Sequence, residues 1–118
     1  MAEHNDTGKA AEEMAATWLT EQGYEILHRN WRYSRYEIDI IATKGKFLHF
    51  VEVKARKASR YGRPEDHVTR KKFKKLQKAV HQYLYLNPGN PWIRYDILAI
   101  TLHRDDDPEY FLIEDVFL

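Results

Sequence analysis

The sequence predicts an α/β fold in which one mixed five-stranded sheet carries helices on its faces. Three observations predict it. Two stretches repeat apolar residues at helical spacing. Five stretches are rich in β-branched and aromatic residues. Their order along the chain is helix, three strands, helix, two strands. A length of 118 residues suits one domain, residues 1–118, with a single core.

Asp6 or Thr7 can cap a first helix that runs to about Gln22, where Gly23 ends it. Ala11, Met14, Ala15, Trp18 and Leu19 form its apolar stripe. Tyr24 to Trp31 reads as the first strand, and Glu37 to Thr43 and Lys46 to Ala55 as the next two. Lys44-Gly45 between them suits a tight hairpin. Ala58 to His67 has no period and holds Gly62 and Pro64, so it reads as a loop. Thr69 opens a second helix to about Leu86, with Phe73, Leu76, Val80, Tyr83 and Leu84 on its buried stripe. Asn87-Pro88-Gly89-Asn90-Pro91 stops it. Ile93 to Leu102 is a strand, Arg104 to Pro108 a charged turn, and Tyr110 to Ile113 a last short strand.

Composition excludes several classes. With 43% hydrophobic residues the chain is not a disordered tail. The absence of cysteine excludes a disulfide scaffold and a thiolate zinc site. Met1 to Gly8 is polar and lacks the apolar core of a signal peptide. No apolar run approaches the roughly 20 residues that span a bilayer. A cytoplasmic protein with no membrane partner is the expectation. The net charge of +1 hides an asymmetry. Lys54 to Lys75 holds ten Lys or Arg against two acids, and Asp105 to Leu118 holds six acids and no Lys or Arg. The basic stretch is either a footprint for phosphate or a plain solvated face. The acidic end reads as a solvated edge.

The central hairpin carries the chemistry. With Lys44-Gly45 as its loop, Asp39 faces Phe50 and Glu37 faces Glu52. Glu37, Asp39, Glu52 and Lys54 then project from one face of the sheet. Asp39 and Glu52 are diagonal neighbours, roughly 7–8 Å apart at the backbone. Their strands are otherwise strongly apolar, as sheets buried on both faces are. Buried carboxylates are costly unless paired, protonated or bound to a metal. Oxygen donors suit Mg2+ or Mn2+. Glu-x-Lys alone is weak, because Lys54 can simply neutralise Glu52. An acid on one strand, Glu-x-Lys on the other and a basic segment directly afterwards agree with one another.

Asp39 followed by Glu52-Val53-Lys54 resembles the active-site signature of the PD-(D/E)XK nuclease superfamily, which includes restriction enzymes and archaeal Holliday-junction resolvases. More closely, the chain from about Gly8 to Ile100 resembles the small bacterial YraN-like family, an uncharacterised family with a predicted endonuclease fold. The matching residues are Gly8, Glu12 and Ala15, then Gly23-Tyr24, Ile26-Leu27 and Arg29-Asn30. They continue through Glu37-Ile38-Asp39-Ile40-Ile41-Ala42, Phe50-Val51-Glu52-Val53-Lys54 and Arg56. Gly62, Pro64, Lys72, Leu76, Ala79, Tyr83-Leu84, Arg94 and Asp96 complete them. The chain departs at Ala11 and Tyr36, where the family usually has glycine.

The resemblance implies a restriction-endonuclease-like fold and a nuclease site. Asp39 and Glu52 would ligate the metal, the backbone carbonyl of Val53 would add an oxygen, and Lys54 would act on the attacking water or the scissile phosphate. Glu12 matches the helix acid that completes such sites. Helix geometry allows this, because Glu12 shares a face with Ala15, Ala16 and Leu19 while Glu13 points away. Otherwise Glu12 is a solvent-facing acid favoured by the helix dipole. Glu37 is either a further ligand or a partner for an arginine. A bound cation lowers the pKa of water and polarises the phosphoryl oxygen, which is what phosphodiester hydrolysis needs.

Arg56, Lys57, Arg60, Arg63, Arg70, Lys71, Lys72, Lys74 and Lys75 are candidates to grip phosphates. Arg29, Arg32 and Arg35 alternate with Trp31, Tyr33 and Tyr36. That mixture can stack on unpaired bases, although core packing is the first reading for Trp31. The six histidines show no metal-ligand spacing, and no glycine loop implies a nucleotide cofactor. The expected function is a metal-dependent endonuclease acting on DNA, branched or single-stranded. The alternatives are an inactive nucleic-acid-binding module and a scaffold in DNA processing. A homodimer is open.

Overall fold

The structure is a computed structural model that describes residues 2–58, 70–89 and 92–116, with side chains from Gly8 onward. The elements are α1 (Ala2–Glu21), β1 (Glu25–Tyr33), β2 (Tyr36–Lys44), β3 (Phe47–Lys57), α2 (Arg70–Leu86), β4 (Ile93–Leu102) and β5 (Glu109–Ile113). The α-β-β-β-α-β-β order is the expected one. The five strands lie in one sheet in chain order, β1-β2-β3-β4-β5. β3 and β4 are parallel, and the other neighbours are antiparallel. A parallel pair needs a crossover, and the segment with α2 supplies it.

The helices cover opposite faces. Ala15, Ala16 and Leu19 of α1 pack with Ile40, Val51, Leu98 and Ile100. Leu76, Ala79, Val80 and Tyr83 of α2 pack with Ile41, Leu48 and Phe50. The central strands are therefore buried on both sides, which is why they read as near-continuous apolar runs.

Two boundaries differ for a physical reason. α1 begins at Ala2, so Asp6 and Thr7 lie inside the helix and do not cap it. Residues 2–5 hold no glycine or proline to stop helical bonding from running further toward the terminus. Its end is as expected. Gly23 adopts φ +96, and the N–H groups of Gly23 and Tyr24 donate to the carbonyls of Thr20 and Leu19. This is a Schellman cap, and Tyr24 and Leu19 share the α1-side core.

The central hairpin is also corrected. Its loop is Gly45-Lys46, and Lys44 pairs with Phe47. Gly45 sits at φ +62, the positive angle that a two-residue hairpin of the II′ type needs at its first loop position. Glycine must therefore come first, and the pairing moves by two residues. Ile41 pairs with Phe50 and Ile40 with Val51, not Asp39 with Phe50. A one-residue slip would reverse every side chain, whereas a shift of two keeps the faces. β1 also runs on to Tyr33, which pairs with Tyr36 across a turn with Ser34 at φ 57. Tyr36 thus opens β2 as a paired residue. The expected loop at Ala58 to His67, the helix start at Thr69, and Arg60 and Arg63 lie almost wholly outside the described residues, which resume at Arg70.

Candidate active site

The sheet forks where the acids lie. The β2–β3 ladder ends at Ile40↔Val51, yet β2 stays paired with β1 as far as Tyr36, and β3 stays with β4 as far as Lys57. Beyond the fork the Val53 N–H donates to Asp39 Oδ2 at 2.9 Å, so a side chain takes a place that a strand carbonyl fills in a regular ladder. A cleft of about 700 Å³ opens there, lined by Arg35, Tyr36, Glu37, Asp39, Glu52, Lys54, Lys72, Lys75, Leu76 and Lys78. β2 supplies Asp39, β3 supplies Glu52 and Lys54, and α2 supplies the lysine wall.

Asp39 is the most perturbed group in this cleft. Its carboxyl is pushed up to about 7, first by burial and next by the charge of Glu52. The Val53 N–H pulls it back, and Glu12 and Glu37 add smaller upward pushes. Glu12, half-buried on α1, is also raised by burial, with Arg29 and Arg32 opposing and Glu37 reinforcing. Glu12 thus acts on Asp39 through its charge, and Glu13 is exposed as expected.

Lys54 Nζ lies 3.4 Å from Glu52 Oε1. Burial lowers the Lys54 pKa, but contact with Lys72 and the charges of Glu52 and Asp39 outweigh it, so the ammonium is held above its ordinary value. Lys72 moves the other way, because its hydrogen bond with Lys54 and then the charge of Lys54 favour its neutral form.

The remaining expected residues separate into groups. Lys72 and Lys75 line the cleft, whereas Arg70, Lys71 and Lys74 are exposed on α2 and do not. Arg56 is half-buried and Lys57 exposed at the end of β3. Arg29 and Arg32 are exposed on β1 and act on Glu12. Glu37 pairs with Arg32 across β1–β2 and reaches the cleft. Among the described residues no three His, Asp or Glu side chains are gathered closely enough to hold a metal ion.

Sequence reasoning missed Lys78, although Lys72, Lys75 and Lys78 stand at the three-residue spacing that shares a helix face. It also missed the buried pair of His49 and Asp96, with Nδ1 and Oδ2 2.6 Å apart. An aspartate within the apolar run of β4 was the available signal.

Comparison with known proteins decides the family. The model of the uncharacterised protein family UPF0102 matches residues 11–100. The chain belongs to the UPF0102 family. A UPF0102 protein of Flavobacterium psychrophilum is 43% identical over 118 residues, covering 99% of this chain and 98% of the relative. One from Phocaeicola vulgatus is 43% identical over 116 residues, 98% and 93% of the two chains. One from Rhodococcus jostii is 39% identical over 120 residues, 99% and 100%. The family match includes Glu12, Asp39, Glu52, Lys54 and the lysine wall of α2.

Proposed function

We propose that this UPF0102 chain is a divalent-metal-dependent endonuclease of the PD-(D/E)XK type that hydrolyses phosphodiester bonds in DNA. Asp39 carries the reading: a half-buried carboxylate beside Glu52 and Lys54, in a lysine-walled cleft. Burial and a neighbouring acid make its charged form costly, and a bound cation relieves both terms. The donors are all oxygens, the set that suits Mg2+ or Mn2+. Asp39 and Glu52 would hold the ion, with the Val53 carbonyl and Glu12 as further candidates. Bound there, the ion would activate water and polarise the phosphoryl oxygen.

The chain's own residues supply the rest. Lys54 keeps a fixed positive charge where charge builds up on the phosphate. Lys72, Lys75 and Lys78 neutralise backbone phosphates, which positions a strand without reading its sequence. The test is a cleavage screen over single-stranded, duplex, flap and four-way-junction DNA with magnesium or manganese. Wild type cuts at least one of these, and EDTA or Asp39→Asn abolishes cutting. Equal cutting by Asp39→Asn would place the chemistry elsewhere.

A second reading, a nucleic-acid-binding module or scaffold without turnover, is favoured by one observation. The Lys54 ammonium lies 3.4 Å from Glu52, so it can neutralise that acid without a metal ion. Binding without any cutting across the panel, with either metal, selects it.

A further inference from the structure

A row of aromatic rings that the hydrolytic site does not use reaches the β1–β2 turn. Phe50 and Trp31 both meet Tyr83 of α2 edge-on, at 5.6 and 5.4 Å. Trp31 is stacked by Tyr33 at 6.3 Å with the planes 15° apart. The row thus runs outward from the core on the α2 side of the sheet. Its last ring, Tyr33, is 46% exposed and packs on Trp31 through one face. An exposed ring at the end of such a row adds little to the core, which is already closed by Trp31 and Tyr83.

Position gives the ring its use. Tyr33 pairs directly with Tyr36, and Tyr36 and Arg35 line the cleft that holds Asp39 and Glu52. The Arg35 guanidinium lies 5.6 Å from the Tyr36 ring centre. The far wall of the same cleft is the lysine ridge of α2. A polyanion laid along the cleft meets lysines on one side, and an arginine with open aromatic surface at the end. Aromatic surface beside phosphate-binding charge fits a strand whose bases are free to stack. Bases inside a duplex are already stacked on one another and cannot use it.

We propose that Tyr33, paired with the cleft-lining Tyr36, stacks an unpaired base of a single-stranded DNA segment, with Arg35 on the adjoining phosphate. This rests on the nuclease reading for its purpose, since it names the substrate class of that site. The stacked base would lie next to the phosphate delivered to Asp39 and Glu52. Specificity for unpaired DNA then comes from the turn, and the lysine ridge stays indifferent to strand number.

The test is binding in EDTA, so it does not depend on turnover. Fluorescence anisotropy is measured for a single-stranded oligonucleotide and for the duplex of the same sequence. Tyr33→Ala weakens single-strand binding on the order of tenfold, Tyr33→Phe keeps it, and duplex binding changes by less than about twofold. Arg35→Ala weakens single-strand binding too. Wild-type protein provides an arm that needs no variant: an abasic residue moved along the oligonucleotide lowers affinity at one position. A flat abasic scan overturns the proposal, as does an equal loss on duplex and single strand with Tyr33→Ala. Failure of cleavage with these binding results intact would remove the nuclease reading and leave the stacking contact standing.

Discussion

Asp39 has a carboxylate oxygen in use as the acceptor for Val53 N–H and a charge that its surroundings disfavour. Its folded pKa of about 7 stands above the ordinary 3.8, so the folded chain binds this proton more tightly than the unfolded chain does. The stability from that difference is fully present below pH 3.8 and is lost as pH rises through about 7. Asp39→Asn does not titrate and escapes the loss. Its melting temperature without divalent ions should exceed the wild type's by an amount that grows from about pH 4 to pH 7 and then levels off, reaching on the order of 4 °C or more. Magnesium should narrow the gap by stabilising wild type alone. A gap constant with pH would show that the proton on Asp39 is not the cause. Lys54→Ala separates roles at the neighbouring position. On the nuclease reading, metal binding by calorimetry should persist while turnover falls roughly 100-fold or more, because the ammonium would act on phosphate or water and not on the ion. Loss of both together would make Lys54 a support for the acids.

α2 shows how an element selects among residues that look equivalent in sequence. Phe73, Leu76, Ala79, Val80 and Tyr83 face the sheet, and this sets which lysines flank them toward the cleft. Charge removal at Lys72, Lys75 and Lys78 together, as Lys→Gln, should reduce the salt slope of duplex binding by roughly 2–3. The same change at Lys71 and Lys74 should reduce it by less than about 1. Equal effects from the two sets would make the helix a diffuse basic surface. At the end of α1, Gly23 is held at φ +96 by the Schellman bonds, and a β-carbon there would meet only the Lys44 side chain at 3.6 Å. Gly23→Ala is therefore a backbone experiment, free of steric clash. It should cost about 1 kcal/mol or more in urea unfolding. No cost would mean that the cap relaxes to another geometry.

Across the whole molecule, one buried polar cluster joins segments far apart in the chain. Asp96 is fully buried, with Oδ2 2.6 Å from His49 Nδ1 and Oδ1 accepting from the Asp115 N–H at 3.0 Å. The Val116 N–H donates to the Tyr95 carbonyl, and the Tyr24 hydroxyl donates to Glu114. Part of the acidic end is thus tied to the sheet and is more than a solvated edge. Asp96→Ala would leave two donors without their acceptor, at roughly 1–3 kcal/mol for each buried one. Denaturant unfolding should show that loss, and hydrogen exchange should show the Asp115 amide opening first. A loss below about 0.5 kcal/mol would mean that water replaces the carboxylate. None of the described helices is long and apolar enough to cross a membrane.

The sequence by itself determined the element order, the two helix stripes and the convergence of Asp39, Glu52 and Lys54. These rest on period: 3.6 in α1 and α2, 2 in the strands, and an acid that breaks an apolar run. They survived a wrong hairpin register because the error was two residues, which preserves the faces. Tertiary structure decided what period cannot carry. It forked the sheet past Ile40 and Val51, which opened the cleft. It set the exposed Lys78 beside the cleft and left Lys71 and Lys74 away from it, because packing of α2 on Ile41 and Phe50 fixes the helix rotation. It also paired His49 with Asp96 across parallel strands 47 residues apart in sequence, a contact set by the crossover and by no local rule. Local pattern tells which way a side chain faces, and only the packed sheet decides what stands opposite it.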